Sequence, residues 1–144
     1  MNASSQKGDR RERQLIITAD EQQFGAMRCP ASGSATSRQL PDVIISREAT
    51  EITEHSPLAH PLSRAWSIEV KGDKNGTPNL PHAEIEGLCA HALAWGSTPL
   101  VAVHPNRGEW SFFEPSELKI NDKSRSVTQD MLPGPTFEEV FVNG

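Results

Sequence analysis

Apolar and polar positions along this chain change their period several times, and each change predicts an element. Between Asp9 and Gln22 the apolar residues Leu15, Ile16 and Ala19 recur on one helical stripe, with Asp9 placed as the N-cap. Phe24 to Arg28 reads as a short strand and Asp42 to Ser46 as an apolar one, separated by a Ser-, Gly- and Ala-rich loop from Cys29 to Pro41. Ala65 to Lys71 alternates as a third strand. The clearest helix runs from His82 to Trp95. Ile85, Leu88, Cys89, Ala92 and Trp95 recur at helical spacing there, Pro81 precedes the segment and Gly96 stops it. Pro99 to His104 and Trp110 to Phe113 read as two further strands joined by a turn around Asn106 to Gly108.

The polar stretches fix the organisation. Met1 to Gln6 is small and polar, as a disordered arm would be. Arg47 to Arg64 contains Pro57 and Pro61 and reads as a long hairpin connection or insertion, and Gly72 to Pro81 as a turn-rich loop. Residues 119–144 offer little regular pattern and are expected to pack on the domain or trail from it. The economical arrangement is a single α/β domain over residues 7–118, with one sheet and helices packed on it.

A chain of 144 residues fits one domain with a sizeable core. The formal net charge of −5 argues in bulk against a nucleic-acid partner. Its distribution argues otherwise: Lys7, Arg10, Arg11, Arg13, Arg28 and Arg38 lie in the front third, and acids dominate from Glu109 onward. Cys29 and Cys89 are far apart and outside any paired ligand spacing, which predicts reduced thiols and neither a disulfide framework nor a zinc site. The histidines add no zinc pattern. The N-terminus lacks the apolar core of a signal peptide, and no apolar run is long enough to span a bilayer. The expectation is a soluble, cytoplasmic protein without a membrane partner.

Candidate chemistry sits at strand ends. Asp42 opens the second strand, while Glu69 and Lys71 lie two apart in the third and so share a sheet face. Two carboxylates converging on one face are what magnesium needs, with phosphate and water filling the remaining positions. Lys71 would then orient the attacking water or steady charge on the phosphate. Either fragment alone is commonplace: Glu-x-Lys in a strand is usually a surface pair, and Pro-Asp is usually a turn. Joined to Val43-Ile44-Ile45 and to Trp66, Ile68 and Val70, they become acids at the ends of buried strands, a costly arrangement without a cation. Glu12 lies one turn before Leu15 and Ile16, near the buried face of its helix, which is awkward for an unpartnered carboxylate. Trp66, Trp95 and Trp110 read as core, with a dimer interface as the alternative place for Trp95 and Phe112.

These residues fall in a recognisable order. Lys7-Gly8, Glu12-Arg13, Phe24-Gly25-Ala26-Met27-Arg28, Pro30-Ala31-Ser32-Gly33-Ser34 and Pro41-Asp42-Val43-Ile44 together resemble the archaeal Holliday-junction resolvases. Pro41-Asp42 with Glu69-Val70-Lys71 is the signature of the PD-(D/E)XK nuclease superfamily to which those enzymes belong. The resemblance covers roughly Lys7 to Leu118. It implies a restriction-endonuclease-like fold, a mixed central sheet flanked by helices. It also implies a magnesium-dependent endonuclease, with manganese as substitute, that resolves four-way DNA junctions as a homodimer in an archaeal or archaeal-virus setting. By position, Glu12, Ser32, Asp42, Glu69 and Lys71 would be catalytic, and Asp42, Glu69, Glu12 and the carbonyl of Val70 would hold metal. Arg13, Arg28, Ser34 and Arg38 would meet the DNA. This chain departs from the pattern in a long Arg47 to Ala65 stretch, and in Glu84 where relatives often carry glutamine, so Glu84 receives no role. The alternatives are another nuclease of the superfamily, cutting flaps, mismatches or restriction sites, and a homologue that binds junctions without cutting.

Overall fold

The computed structural model describes residues 3–30, 40–47, 64–73, 75–105 and 108–143, with side chains from Arg10 onward. Helix α1 spans Ala3–Glu21 and buries Leu15 and Ala19 completely. It starts earlier than its apolar stripe suggests. Asp9 is therefore an interior helix position and not the N-cap, and helix takes in part of the stretch expected to be an arm.

Strands β1 (Gly25–Arg28) and β2 (Val43–Arg47) pair antiparallel, and β2 pairs antiparallel with β3 (Arg64–Asp73). After β3 come a three-residue strand β4 (Asn79–Pro81), helix α2 (His82–Trp95) and strand β5 (Thr98–Pro105). A parallel pair needs a crossover, and α2 supplies it, so β3 and β5 run parallel with Glu69 beside Val101. Gly96 ends α2 at φ 68°, a left-handed conformation that glycine adopts without a Cβ penalty. Strand β6 (Ser111–Phe113) closes a mixed five-stranded sheet in the order β1-β2-β3-β5-β6.

Each sheet face has its own core. Leu15 and Ala19 of α1 meet Val43, Ile45, Trp66, Ile68, Leu100, Ala102 and Phe112 on one side. On the other, Ile85 and Leu88 of α2 meet Val101, Val103 and Phe113. The alternation along β5 explains the division: Leu100 and Ala102 point one way, Val101 and Val103 the other.

The chain beyond Leu118 is integral to both layers. Strands β7 (Lys119–Ile120) and β8 (Ser124–Ser126) join β4 in a second sheet, order β4-β8-β7, beside α2. Val127 is buried in the α2-side core. A final helical turn, Glu138–Val142, buries Phe141 completely, edge-on to Trp66 with ring centroids 4.7 Å apart. Of the aromatic expectations, Trp66 and Phe112 are core and Trp110 packs partly buried against it. Trp95 is not core, being 62% exposed and stacked on His91. Among the described residues no helix is long and apolar enough to cross a membrane.

Candidate metal centre

Continuing the β2–β3 register one step past Val43 and Ile68 sets Asp42 opposite Glu69. Asp42 stands just before β2, where its backbone N–H donates to the Ile68 carbonyl at 3.0 Å. The Val70 N–H in turn donates to Asp42 Oδ2 at 2.8 Å, which fixes the carboxylate against β3. Glu69 is 7% exposed. The two acids therefore meet from neighbouring strands in a poorly solvated place.

Their protonation reports the crowding. Burial, and then the charge of Asp42, pushes the Glu69 carboxyl up to about 8, against the opposing pull of Lys71. Asp42 is also raised by burial, opposed by the Val70 N–H, by Lys71, and by hydrogen bonds with the Glu69 and Glu12 carboxyls. With no cation between them the Glu69 carboxyl holds its proton beside Asp42. Two hard oxygen donors that must otherwise hold a proton fit a divalent ion of the magnesium type. Among the described residues, no set of three His, Cys, Asp or Glu side chains is grouped as it would be to hold an ion. The side chains that meet here are the two carboxyls of Asp42 and Glu69.

Around the pair, α1 and the ends of β1 and β3 contribute further groups. Glu12 Oε2 accepts from Arg28 Nη2 at 2.7 Å, with 15% of the Glu12 side chain and 40% of the Arg28 side chain exposed. Its near-buried placement is therefore answered by a guanidinium and by Asp42. Arg13 is exposed on α1. Lys71 emerges on the same face as Glu69, and its Nζ donates to Glu84 Oε1 at 2.8 Å. Ser32, Ser34 and Arg38 lie outside the described residues.

Two residues stand at the site without a role in the sequence reading, Cys29 taken as a plain reduced thiol and Glu84 noted only as a departure from the family pattern. Cys29 follows β1, and its N–H donates to the Asp42 carbonyl at 2.9 Å. Burial, with the charges of Asp42, Glu12 and Glu69, pushes its thiol up to about 11, so it is a neutral neighbour of the acids. Glu84 is the other. Neither position has a local pattern, because both reach the site only through packing of different elements.

Comparison with known proteins extends over most of the chain. The family described as archaeal Holliday junction resolvase (Hjc) matches residues 3–55 and 58–143. The crossover junction endodeoxyribonuclease Hjc of Archaeoglobus fulgidus is 27% identical over 144 residues, covering 94% of this chain and 95% of that protein. The solved structure of Archaeoglobus fulgidus Hjc, a Holliday junction resolvase from an archaeal hyperthermophile, matches with a TM-score of 0.70 and 25% sequence identity. That match covers 88% of this chain and 92% of the other.

Proposed function

The chain belongs to the archaeal Holliday junction resolvase family, with its restriction-endonuclease-like fold, and from that premise we propose how it resolves four-way DNA junctions. Asp42 and Glu69 hold a divalent metal ion, magnesium by preference and manganese as substitute, with the Val70 carbonyl as a further donor. The observation that carries this reading is the meeting of the buried Glu69 carboxyl with the half-buried Asp42 carboxyl across the β2–β3 register. Bound there, such an ion supplies Lewis-acid stabilisation of the charge that builds on the scissile phosphate.

The chain's own side chains do the rest. Lys71 brings a positive charge to the same face as Glu69 and orients water or steadies the phosphate. Glu12 supports Asp42 and holds Arg28, whose guanidinium is 40% exposed and can meet a phosphate oxygen. Arg13 adds a backbone contact from α1, Ser32 assists at the scissile phosphate, and Ser34 and Arg38 meet the DNA. Contacts of this kind read backbone shape more than base edges. A four-way junction has two-fold symmetry, which suits a homodimer presenting two such sites. The exposed Leu93 and Trp95, close together near the end of α2, are apolar surface that such an assembly would cover. On this reading the enzyme works on cellular or viral DNA in the cytoplasm of an archaeal host.

The test is cleavage of a four-way junction against linear duplex, flap and single strand in magnesium. The reading expects the junction to be cut preferentially, and Asp42→Asn to bind it without cutting. Equal rates on all four substrates would remove the junction-selective claim.

A further inference from the structure

Lys71 does not face the acid pair alone. It leaves β3 on the same face as Glu69, and its Nζ sits 2.8 Å from Glu84 Oε1. Glu84 lies in the first turn of α2, where the aligned amide dipoles favour a carboxylate. Each side chain of this ion pair is only 27% exposed, so solvent screens it incompletely. The second carboxylate oxygen, Glu84 Oε2, is shut off from solvent and has no hydrogen-bond partner among the described residues. Leaving a buried acceptor unsatisfied is costly. Glu84 also adds a negative charge within electrostatic reach of Glu69, which already resists ionisation.

That placement makes sense through the lysine. A lysine ammonium is a compact charge on a flexible four-carbon stem. Left to itself it is drawn to the Asp42–Glu69 pair, whose carboxyls both feel its charge, and there it competes with a divalent ion. Glu84 supplies the opposing pull from the helix side.

We propose that Glu84 is a positioning residue whose carboxylate holds the Lys71 ammonium at the α2 side of the site, leaving the Asp42–Glu69 pair open. The inference rests on the reading of Lys71 as a working group of the nuclease site. A plain staple between α2 and β3 would have a different signature: its loss would lower stability and leave both the cleavage rate of the folded protein and the Lys71 ammonium signal unmoved.

The experiment uses the full chain in five forms: wild type, Glu84→Ala, Glu84→Gln, Lys71→Met, and Lys71→Met combined with Glu84→Ala. Single-turnover cleavage of a four-way junction is measured at saturating magnesium, junction affinity in metal-free buffer, and the Lys71 ammonium by 15N NMR in metal-free protein. Glu84→Ala slows cleavage roughly tenfold through misplacement of the ammonium, without changing junction affinity. Glu84→Gln, whose amide oxygen still accepts from Nζ, recovers most of that rate. In the Lys71→Met background, Glu84→Ala costs nothing further. The ammonium signal, identified by its loss in Lys71→Met, is sharp in wild type and Glu84→Gln and broadened in Glu84→Ala. Should Glu84→Ala fail to fold, Glu84→Asp, one methylene shorter, carries the same comparisons. An equal slowing in both backgrounds, or an ammonium signal indifferent to Glu84, overturns the proposal. Undiminished cleavage by Lys71→Met would defeat the reading of the site itself and this inference with it.

Discussion

On one face of β3, Trp66 and Ile68 are sealed against α1 and the C-terminal turn that carries Phe141. On the other, Ser67, Glu69 and Lys71 of the same strand face α2, two of them bonded to it directly: Ser67 to His91, and Lys71 to Glu84. The strand's two-residue period keeps the two sets apart while fixing both to one backbone. A dry, aromatic face holds β3 still, and the polar face borrows that rigidity to keep acids where solvent would not leave them. Substitutions on the two faces should therefore fail in different ways.

The largest separation is expected at the acid pair. Asp42→Asn or Glu69→Gln should reduce junction cleavage by on the order of 10³-fold, the scale seen when a group stabilising transition-state charge is removed. Neither should unfold the chain, and thermal melting of the metal-free variants should show no loss of stability. A melting temperature that collapses with activity would place the acids among the structural residues instead.

Trp66→Ala probes the opposite face. Emptying a fully buried indole that packs edge-on to Phe141 should cost about 3–5 kcal/mol of stability. Denaturant unfolding reads that loss, while cleavage per folded molecule should persist at low temperature. Ser67→Ala is the smaller test from the polar side. The Ser67 hydroxyl is fully buried and bonds both His91 Nδ1 at 3.1 Å and Ser97 Oγ at 2.6 Å. Its loss should cost about 1–3 kcal/mol by leaving those groups short of a partner, again seen in denaturant midpoints.

The subtlest effect is on pH. A carboxyl raised to about 8 in the folded chain and near 4.5 when unfolded binds its proton more tightly in the fold. Metal-free stability from this group is full below the unfolded value and is lost as pH rises through about 8. Thermal melts in metal-free buffer should fall across that window, and Glu69→Gln should flatten the trend. A divalent ion replaces the proton, so added magnesium should flatten it as well.

The two faces also differed in how well they could be read from sequence. The Glu69-x-Lys71 spacing and the limits of α2 were legible because both are local: a two-residue period, and a helical stripe between Pro81 and Gly96. The pairing of Asp42 with Glu69 was legible only because two apolar segments each carried an acid, although β3 runs on to Asp73 and leaves Glu69 in mid-strand rather than at its end. What escaped was non-local. Strands β4, β7 and β8 are two or three residues long, too short for a period to show, and β4 finds β8 some distance along the chain. Phe137, Val140 and Phe141 do carry a helical spacing, but over one turn among prolines and charges it could not announce a core position. Glu84 and Cys29 join the site through tertiary packing alone. The early start of α1 was hidden because Ala3 to Gly8 has no apolar stripe, and Asp9 imitates a cap.

Direct titration of the metal-free chain with magnesium or manganese, followed by calorimetry in buffers of different ionisation enthalpy, tests the central claim. The account predicts saturable binding near pH 7 with release of the proton held by the acid pair, and loss of that binding in both Asp42→Asn and Glu69→Gln. Unaltered binding in either variant, or binding in wild type with no proton released, would contradict it.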